Sequence, residues 1–489
     1  MKHIFNRKTL YHLISSLMLL LAGSWTGAAD TAKNIILLIS DGCGYYHVDA
    51  VTLYQYGATG RQVYEYFPHR YAVSTGSLFL NGKGTTTETE YEPDQAWRFF
   101  DYVKKHYTDS AASATAMSSG VKTVNGAIGV DAKRQPVRHI TEGAKELGKS
   151  VGVVTSVQWS HATPAGFVAH NPSRKNYTEI AREMLLDSRC DVIMGCGHPL
   201  FNNDGQPTEH ADYKHVGGPS IWTGLLSGET ECDTDDDGIC DKTLQDIDTD
   251  SVPDPWTLIQ TLSDFQWLQA GPTPKRVLGI PQVRSTLQYD RTGIVHEPQW
   301  DKPEVPYSTP LLTTVPNLKE MALAALNVLD NDPDGFFLMV EGGAVDWASH
   351  GHNAARMIEE QIDFNQSVET VVQWVEDNSN WDETLVIVTG DHETGYLTGP
   401  GSGYRATDPH DEPVPIWNPL TNNGVGQVPG LEWHSETHTN SVLPLYAKGA
   451  GSGYFQEYIQ GTDPVRGPYV DNTAVARVMW RSIGHRVGE

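Results

Sequence analysis

The sequence predicts an α/β fold: a central, mostly parallel sheet with helices on both faces, interrupted by one large irregular insertion. Three observations predict it. Six short runs, at residues 34–40, 150–156, 191–195, 335–340, 384–389 and 442–447, are apolar at most positions, the pattern of strands covered on both faces. Between them, residues 111–119, 177–186, 318–329, 354–377 and 472–483 carry helical periodicity, and strands alternating with helices imply a parallel sheet. From residue 198 to 314 the pattern lapses into Pro-, Gly-, Trp- and Asp-rich sequence, which reads as an insertion between two core strands.

In chain order, residues 1–29 come first. Lys2, Arg7 and Lys8 precede a short apolar stretch and the small residues Gly27-Ala28-Ala29, the layout of a cleavable secretory signal rather than a membrane span. The expected location is therefore secreted or periplasmic, with no membrane attachment after cleavage. Residues 30–197 form the first part of the core and residues 315–489 the second, with the insertion at 198–314 between them. Residues 82–94, rich in Thr and Glu, read as a surface loop or hairpin. With 35 Lys plus Arg against 61 Asp plus Glu, the net charge of −26 argues against nucleic acid or an anionic membrane as partner. A 39% apolar content over 489 residues excludes a disordered chain.

Export would permit disulfides among Cys43, Cys190, Cys196, Cys232 and Cys240. A strand between Cys190 and Cys196 would hold them too far apart, so Cys232 with Cys240 is the better pair, although spacing does not fix pairing.

The polar residues that follow the strands carry the chemistry. Asp41, Thr163, Glu341, Asp391 and His392 fall just beyond the C-terminal ends of predicted strands, where an open parallel sheet places its ligand crevice. Asp346 and His350 stand one helical turn apart, and His434 and His438 add two more imidazoles. Mixed His and Asp donors without thiolate suit Zn²⁺, and carboxylate with hydroxyl oxygens suits Mg²⁺. Ser110 opens a helix of small residues, where backbone N–H groups favour an anion such as phosphate.

Seven stretches, in order, resemble the alkaline phosphatase family: Asp41-Gly-Cys-Gly44, Asp109-Ser110-Ala-Ala-Ser-Ala-Thr-Ala116, His161-Ala-Thr163-Pro164, Ala169-His-Asn-Pro-Ser-Arg174-Lys, Glu341 through His350, Thr389-Gly-Asp391-His392-Glu393-Thr-Gly, and His438-Thr439. The resemblance implies an alkaline-phosphatase-like fold and a secreted phosphomonoesterase with two zinc ions and one magnesium. One zinc would be held by Asp346, His350 and His438, the other by Asp41, Asp391 and His392, and the magnesium by Asp41, Thr163 and Glu341. Ser110 would be the nucleophile, phosphorylated and then hydrolysed in two in-line displacements, and Arg174 would grip the phosphate. His161 and Trp347 occupy positions that vary in the family, and they are expected beside the third metal rather than on it. Cys43 replaces the usual Met of the first motif and reads as a small buried hydrophobe. The family is commonly dimeric, which makes a homodimer the alternative to a monomer.

Within the insertion, residues 232–254 carry Asp233, Asp235, Asp237 and Asp241, then Asp246, Asp248, Asp250 and Asp254, a spacing repeated with period 13. The stretch resembles thrombospondin type 3 calcium repeats, which implies a structural role for Ca²⁺. Residues 229–254 hold eleven acidic residues and one Lys, a density that repels itself unless cations neutralise it.

The rival readings are a phosphodiesterase or sulfatase of the same superfamily and, in a different class, a calcium-dependent binding protein on an inactive phosphatase fold. Thr163, Glu341 and Arg174 argue against the diesterase, the sequence lacks the sulfatase Cys/Ser-x-Pro-x-Arg signature, and the intact donor set argues against the inactive fold.

Overall fold

The computed structural model describes residues 31–80, 86–88, 90–248, 250–292, 305–405 and 413–485. The expected secretory signal lies outside them. Eleven strands form the central sheet: β1 (Asn34–Ser40), β2 (His69–Ser74), β3 (Ser150–Gln158), β4 (Val192–Cys196), β5 (Thr257–Ile259), β6 (Val277–Gly279), β7 (Phe336–Gly342), β8 (Thr384–Gly390), β9 (Leu443–Gly449), β10 (Ile459–Asp463) and β11 (Gly467–Asp471). Their order across the sheet is β10-β11-β2-β9-β8-β1-β7-β3-β4-β6-β5. The block from β8 to β5 is parallel throughout. β9 runs antiparallel to both β8 and β2, so the run at 442–447, indistinguishable from its neighbours in composition, enters the sheet in the opposite direction.

Strand β1 shows why two apolar faces are needed. Ile35, Leu37 and Ile39 point into one core with Ala111, Ala114 and Met117 of α2 (Ser110–Ser119) and Val475, Val478 and Met479 of a C-terminal helix (Thr473–Ser482). Ile36 and Leu38 point into the other, with Val48 and Val51 of α1 (Tyr45–Tyr56), Met321 and Leu326 of α3 (Leu318–Leu329), and Met357, Ile358 and Val368 of α5 (Ala354–Asn378). Each such Leu or Ile removed from water contributes about 1.5–3 kcal/mol, and alternation along the strand divides the gain between the faces. Asn317 caps α3 by accepting from Glu320 N, and Asn353 caps α5 by accepting from Arg356 N.

The region 198–314 does more than interrupt the core. β5 and β6 extend the parallel edge, and the helix Leu262–Leu268 sends Phe265 and Leu268 into the second core. Strands of three residues are too short for any periodicity to register. The predicted hairpin is present where described, Leu78–Leu80 pairing antiparallel with Thr86–Glu88. All five cysteines carry free thiols, so the expected Cys232–Cys240 pairing is not formed: Cys232 is buried and Cys240 exposed. Among the described residues no helix is long and apolar enough to cross a membrane.

One buried ionic group ties the insertion to the core. Glu359 of α5 accepts from Arg356 Nη1 at 2.7 and 2.9 Å and from Arg291 Nη2 at 2.8 Å, all three side chains being almost wholly out of solvent. Removing the shared carboxylate breaks both ion pairs and leaves two buried guanidinium groups with Glu360 as a neighbouring carboxyl in low dielectric. Glu359→Ala is expected to lower unfolding free energy by about 3–5 kcal/mol, read as a fall in denaturation midpoint; a change under 1 kcal/mol would show the network to be dispensable.

Candidate metal and phosphate site

The sheet order decides which residues meet. β8, β1, β7 and β3 are consecutive and parallel, with Ser40 level with both Gly342 and Gly390, so the chain leaves all four strands at one edge. Asp41 follows β1, and Asp391 and His392 follow β8. Thr163 lies in the helical turn Ala162–Ala165 after β3. Glu341 differs from expectation: it is inside β7, its penultimate residue, level with Ile39 and Thr155. Asp346 and His350 sit on α4 (Ala344–His350), which starts directly after β7. A two-residue antiparallel pair, Glu393–Thr394 with His438–Thr439, folds His438 back against His392. Gly42, at φ +73°, allows the turn: a Cβ there would lie 2.7 Å from Asp346 Cα.

Two clusters of donor atoms result. In the first, His350 Nε2 is 3.1 Å from His438 Nε2, and Asp346 Oδ1 is 3.5 and 3.6 Å from these nitrogens. Both rings are turned by their other nitrogen, His350 Nδ1 contacting Glu436 O at 2.8 Å and His438 Nδ1 contacting Thr108 O at 2.9 Å. Donation to these carbonyls leaves both Nε2 lone pairs facing inward. In the second, His392 Nε2 lies 3.5 Å from Asp41 Oδ1, 3.3 Å from Asp391 Oδ2 and 3.2 Å from Ser110 Oγ. Thr394 Oγ1 joins them, donating to Asp346 Oδ1 at 2.5 Å and lying 3.3 Å from His392 Nδ1.

The electrostatics are those of a site built for cations. Asp41, Glu341, Asp391 and Glu393 are buried, with Asp346 nearly so. Burial pushes Asp41 well above the usual carboxylate range, and the charges of Asp391, Asp346 and Glu341 push it further. Burial raises Asp391 and Glu341 to about 7 each, and Glu393 likewise to about 7. The imidazoles move the other way: burial, then His438 and His350, hold His392 well below its ordinary value, and burial lowers His438. Both oxygens of Asp41, Asp391 Oδ2, Glu341 Oε1 and Thr163 Oγ1 are buried without a hydrogen-bond partner. Unprotonated imidazoles and unpaired oxygens fit Zn²⁺ and Mg²⁺, and oxygens left unpaired in this way are costly without such ions.

Ser110 is the first residue of α2, and Asp109 caps that helix, accepting from Ala112 N at 3.0 Å. The other Asp109 oxygen accepts from Gly126 N at 2.9 Å and from Arg174 Nη1 at 3.0 Å. Burial alone would disfavour the guanidinium charge, and Asp109 more than restores it. Ser110, Arg174, His161, Asp346, Trp347, His350 and His438 line one cleft with Tyr289 and Asp290. His161 is buried, with Nε2 3.5 Å from Arg174 Nη2 and its ring edge-on to Trp347. His434 lies apart, contacting Thr398 and Phe100. Cys43 is buried in the second core, its thiol pushed up to about 12 by burial. Tyr289, Asp290, Asp109, Thr155 and Thr394 were not among the residues expected from sequence. Asp109 and Thr394 lie within recognised motifs but had no role assigned to them, whereas Tyr289 and Asp290 lie in the patternless insertion and carried no signal.

The acidic tandem folds as two copies of one loop. Asp233, Asp235 and Asp237 gather in the first, and Asp246, Asp248 and Asp250 in the second, donor oxygens in each lying within 4.8 Å of one another. Gly238 N donates to Asp233 and Ser251 N to Asp246, both residues at positive φ, so Ser251 takes the glycine's conformation. Asp241 turns to Thr234 N, and Asp254 to Ile247 N. The second loop already holds a cation: Lys275 Nζ lies 2.5 Å from Asp248, 3.6 Å from Asp250 and 2.6 Å from Asp254.

The alkaline phosphatase family model matches residues 32–224 and 297–414. Alkaline phosphatase of Escherichia coli (strain K12) is 31% identical over 443 residues, spanning 86% of this chain and 81% of its own length. Alkaline phosphatase 3 of Bacillus subtilis (strain 168) is 29% identical over 378 residues, 76% of this chain but 63% of that protein, so the match spans somewhat under two thirds of it. Among solved structures, a variant of the alkaline phosphatase of the Antarctic bacterium TAB5, with Mg bound in its M3 site, superposes with a TM-score of 0.60 at 24% identity, over 94% of this chain and 99% of that one. A mostly parallel sheet with a carboxylate and imidazole cluster at its C-terminal edge thus defines an enzyme of the phosphomonoesterase class. The chain belongs to the alkaline phosphatase family.

The raised carboxylates make a prediction about the metal-free chain. Asp391 and Glu341 keep their protons to about 7 when folded, whereas unfolded carboxyls release them near pH 4. Between those values these two groups bind more protons in the folded state than in the unfolded one, so their contribution to stability falls as pH rises. The buried imidazoles, His392 among them, work in the opposite direction, so the carboxyl contribution is read as a difference: in metal-stripped protein Asp391→Asn is expected to gain melting temperature relative to wild type as pH goes from 5 to 8, and wild type to be stabilised at pH 8 on adding Zn²⁺ and Mg²⁺. A difference between wild type and variant that does not change with pH would contradict the assignment.

Proposed function

We propose that the chain hydrolyses phosphate monoesters to an alcohol and inorganic phosphate through a phosphoserine on Ser110, as a secreted or periplasmic enzyme. The observation that carries the reading is the placement of Ser110 Oγ at the start of α2, 3.2 Å from His392 and in one cleft with Arg174 and the Asp346–His350–His438 cluster. Asp346, His350 and His438 would hold one Zn²⁺, Asp41, Asp391 and His392 a second, and Asp41, Thr163 and Glu341 an Mg²⁺. When bound, these ions would supply positive charge to the serine oxygen, the leaving oxygen and the attacking water, lowering the pKa of each.

The chain's own groups do the rest. Arg174, held by Asp109 through Nη1, would grip phosphate oxygens with its remaining guanidinium donors, and the Ser110 and Ala111 N–H groups, which the Asp109 cap does not take, would lie at the same end. Ser110 Oγ attacks phosphorus opposite the ester oxygen, the P–O bond to the alcohol breaks, and the alcohol leaves with a proton. Water then attacks the same phosphorus, the bond to Ser110 Oγ breaks, and the serine recovers its proton as phosphate departs. His392 and His438, kept neutral by burial, remain donors to cations rather than sinks for that proton.

For the acidic tandem, calcium remains the proposed occupant of the first loop. Lys275 neutralises only the second loop, which favours unequal roles for the two copies.

Ser110→Ala is expected to abolish phosphoserine trapping at low pH and to reduce kcat/KM for 4-nitrophenyl phosphate by at least about 10³. Arg174→Lys is expected to raise KM about tenfold or more, since an ammonium lacks the planar fork. Undiminished turnover by Ser110→Ala would remove the nucleophile. Millimolar Ca²⁺ is expected to raise the melting temperature of the metal-loaded enzyme, and of Asp237→Asn much less; no shift in the former would discard calcium.

A further inference from the structure

Arg174 has a second support besides Asp109. A guanidinium only donates, so the 3.5 Å contact between Arg174 Nη2 and His161 Nε2 makes the imidazole the acceptor. The other ring nitrogen of His161 fixes nothing, since Nδ1 is buried without a hydrogen-bond partner. The orientation of this ring is therefore left to packing: Trp347 stands edge-on to it at 5.8 Å and 63°, and Tyr177 lies nearly parallel to it at 6.3 Å and 14°.

Tyr177 is backed in turn by a residue of the insertion. His215, in the turn Tyr213–Val216, places its ring 4.7 Å from that of Tyr177 at 55°, and its Nδ1 lies 2.8 Å from Oγ of Ser160, the residue before His161. His215 and Ser160 are both buried. His215 thus reaches His161 by two routes, the ring beside it and the residue before it in the chain. His215 is itself held in place. Gly197, at φ +113°, lies so near that a Cβ there would stand 3.0 Å from His215 Cβ. Arg182 Nε, at the end of the helix Tyr177–Arg182, donates to Gly217 O at 2.7 Å, which fastens the helix of Tyr177 to the turn of His215.

We propose that His215 and Tyr177 are positioning residues for the phosphate grip: they set the His161 ring, and His161 sets one edge of the Arg174 guanidinium. The proposal rests on the reading of Arg174 as the group that holds phosphate. Neither His215 nor Tyr177 lines the cleft, so their effect on phosphate passes through His161. A guanidinium grips two oxygens only when its plane is aligned with them, and one left with a single anchor is free to turn about it. Losing the second support weakens the hold on phosphate, as substrate or as product, without removing a group that the chemistry uses. The insertion, through His215, thereby contributes to an affinity whose donors all belong to the core.

The test uses metal-loaded enzyme, with kcat and KM for 4-nitrophenyl phosphate and Ki for inorganic phosphate. His215→Ala and Tyr177→Ala are each expected to raise KM and Ki about fivefold, with kcat within about twofold of wild type. Tyr177→Phe, which keeps the ring, is expected to retain wild-type values. Should His215→Ala fail to fold, His215→Asn, which leaves Ser160 a partner but offers Tyr177 no ring, is expected to shift KM and Ki in the same direction. In an Arg174→Ala background the same substitutions are expected to add less than about twofold, because the group they act through is gone. A fall in melting temperature with KM and Ki unchanged, or the full effect persisting without Arg174, would overturn the proposal while leaving the monoester reading intact. Arg174→Ala with unchanged KM and Ki would remove the phosphate grip itself, and this proposal with it.

Discussion

The structure depends on a crowd of carboxylates held where water cannot reach them. Asp41, Glu341, Asp391 and Glu393 are buried around one region, Asp346 beside them, and Arg174 is the positive side chain of the shared cleft. Burial strips such a cluster of water, and its members repel one another besides, so that Asp391 and Glu341 keep their protons near neutrality. The fold accepts this because four parallel strands end at one edge, so residues far apart in sequence arrive together without any long loop to hold them. Cations are the natural counter-charge, and His392 and His438, held below their ordinary values by burial, join His350 in the proposed donor set.

Second contacts turn this crowd into a geometry. His350 and His438 are oriented from behind by the carbonyls of Glu436 and Thr108, and Thr394 reaches residues of both clusters with one hydroxyl. Gly42 lets the chain turn against α4 closely enough for Asp41 and Asp346 to share the site. Each of these parts works on orientation and none brings charge.

Much of this was legible in the sequence because its physical cause is local. A strand buried on both faces must be apolar throughout, and residues 34–40 could be read to their ends. The seven motifs pointed to the proposed donor set because each is a short contiguous stretch of sequence. Direction is not local, so the antiparallel entry of β9 was invisible. Glu341 was expected beyond its strand, since a buried glutamate inside one is tolerated only through partners supplied by other strands, here Thr155 on β3. The three-residue strands β5 and β6 are too short to show a period, and the stretch that brings Tyr289 and Asp290 to the cleft is anchored by contacts such as Arg291–Glu359, which joins residues 68 apart.

Asp109 serves two masters with its two oxygens, one stopping α2 at the serine and the other steadying the guanidinium. The proposed attacking atom and the group proposed to grip its target are therefore mounted on a single bracket. A shift in either carries the other with it, so the distance between them survives motions of the surrounding loops that would spoil the alignment of two independently anchored parts.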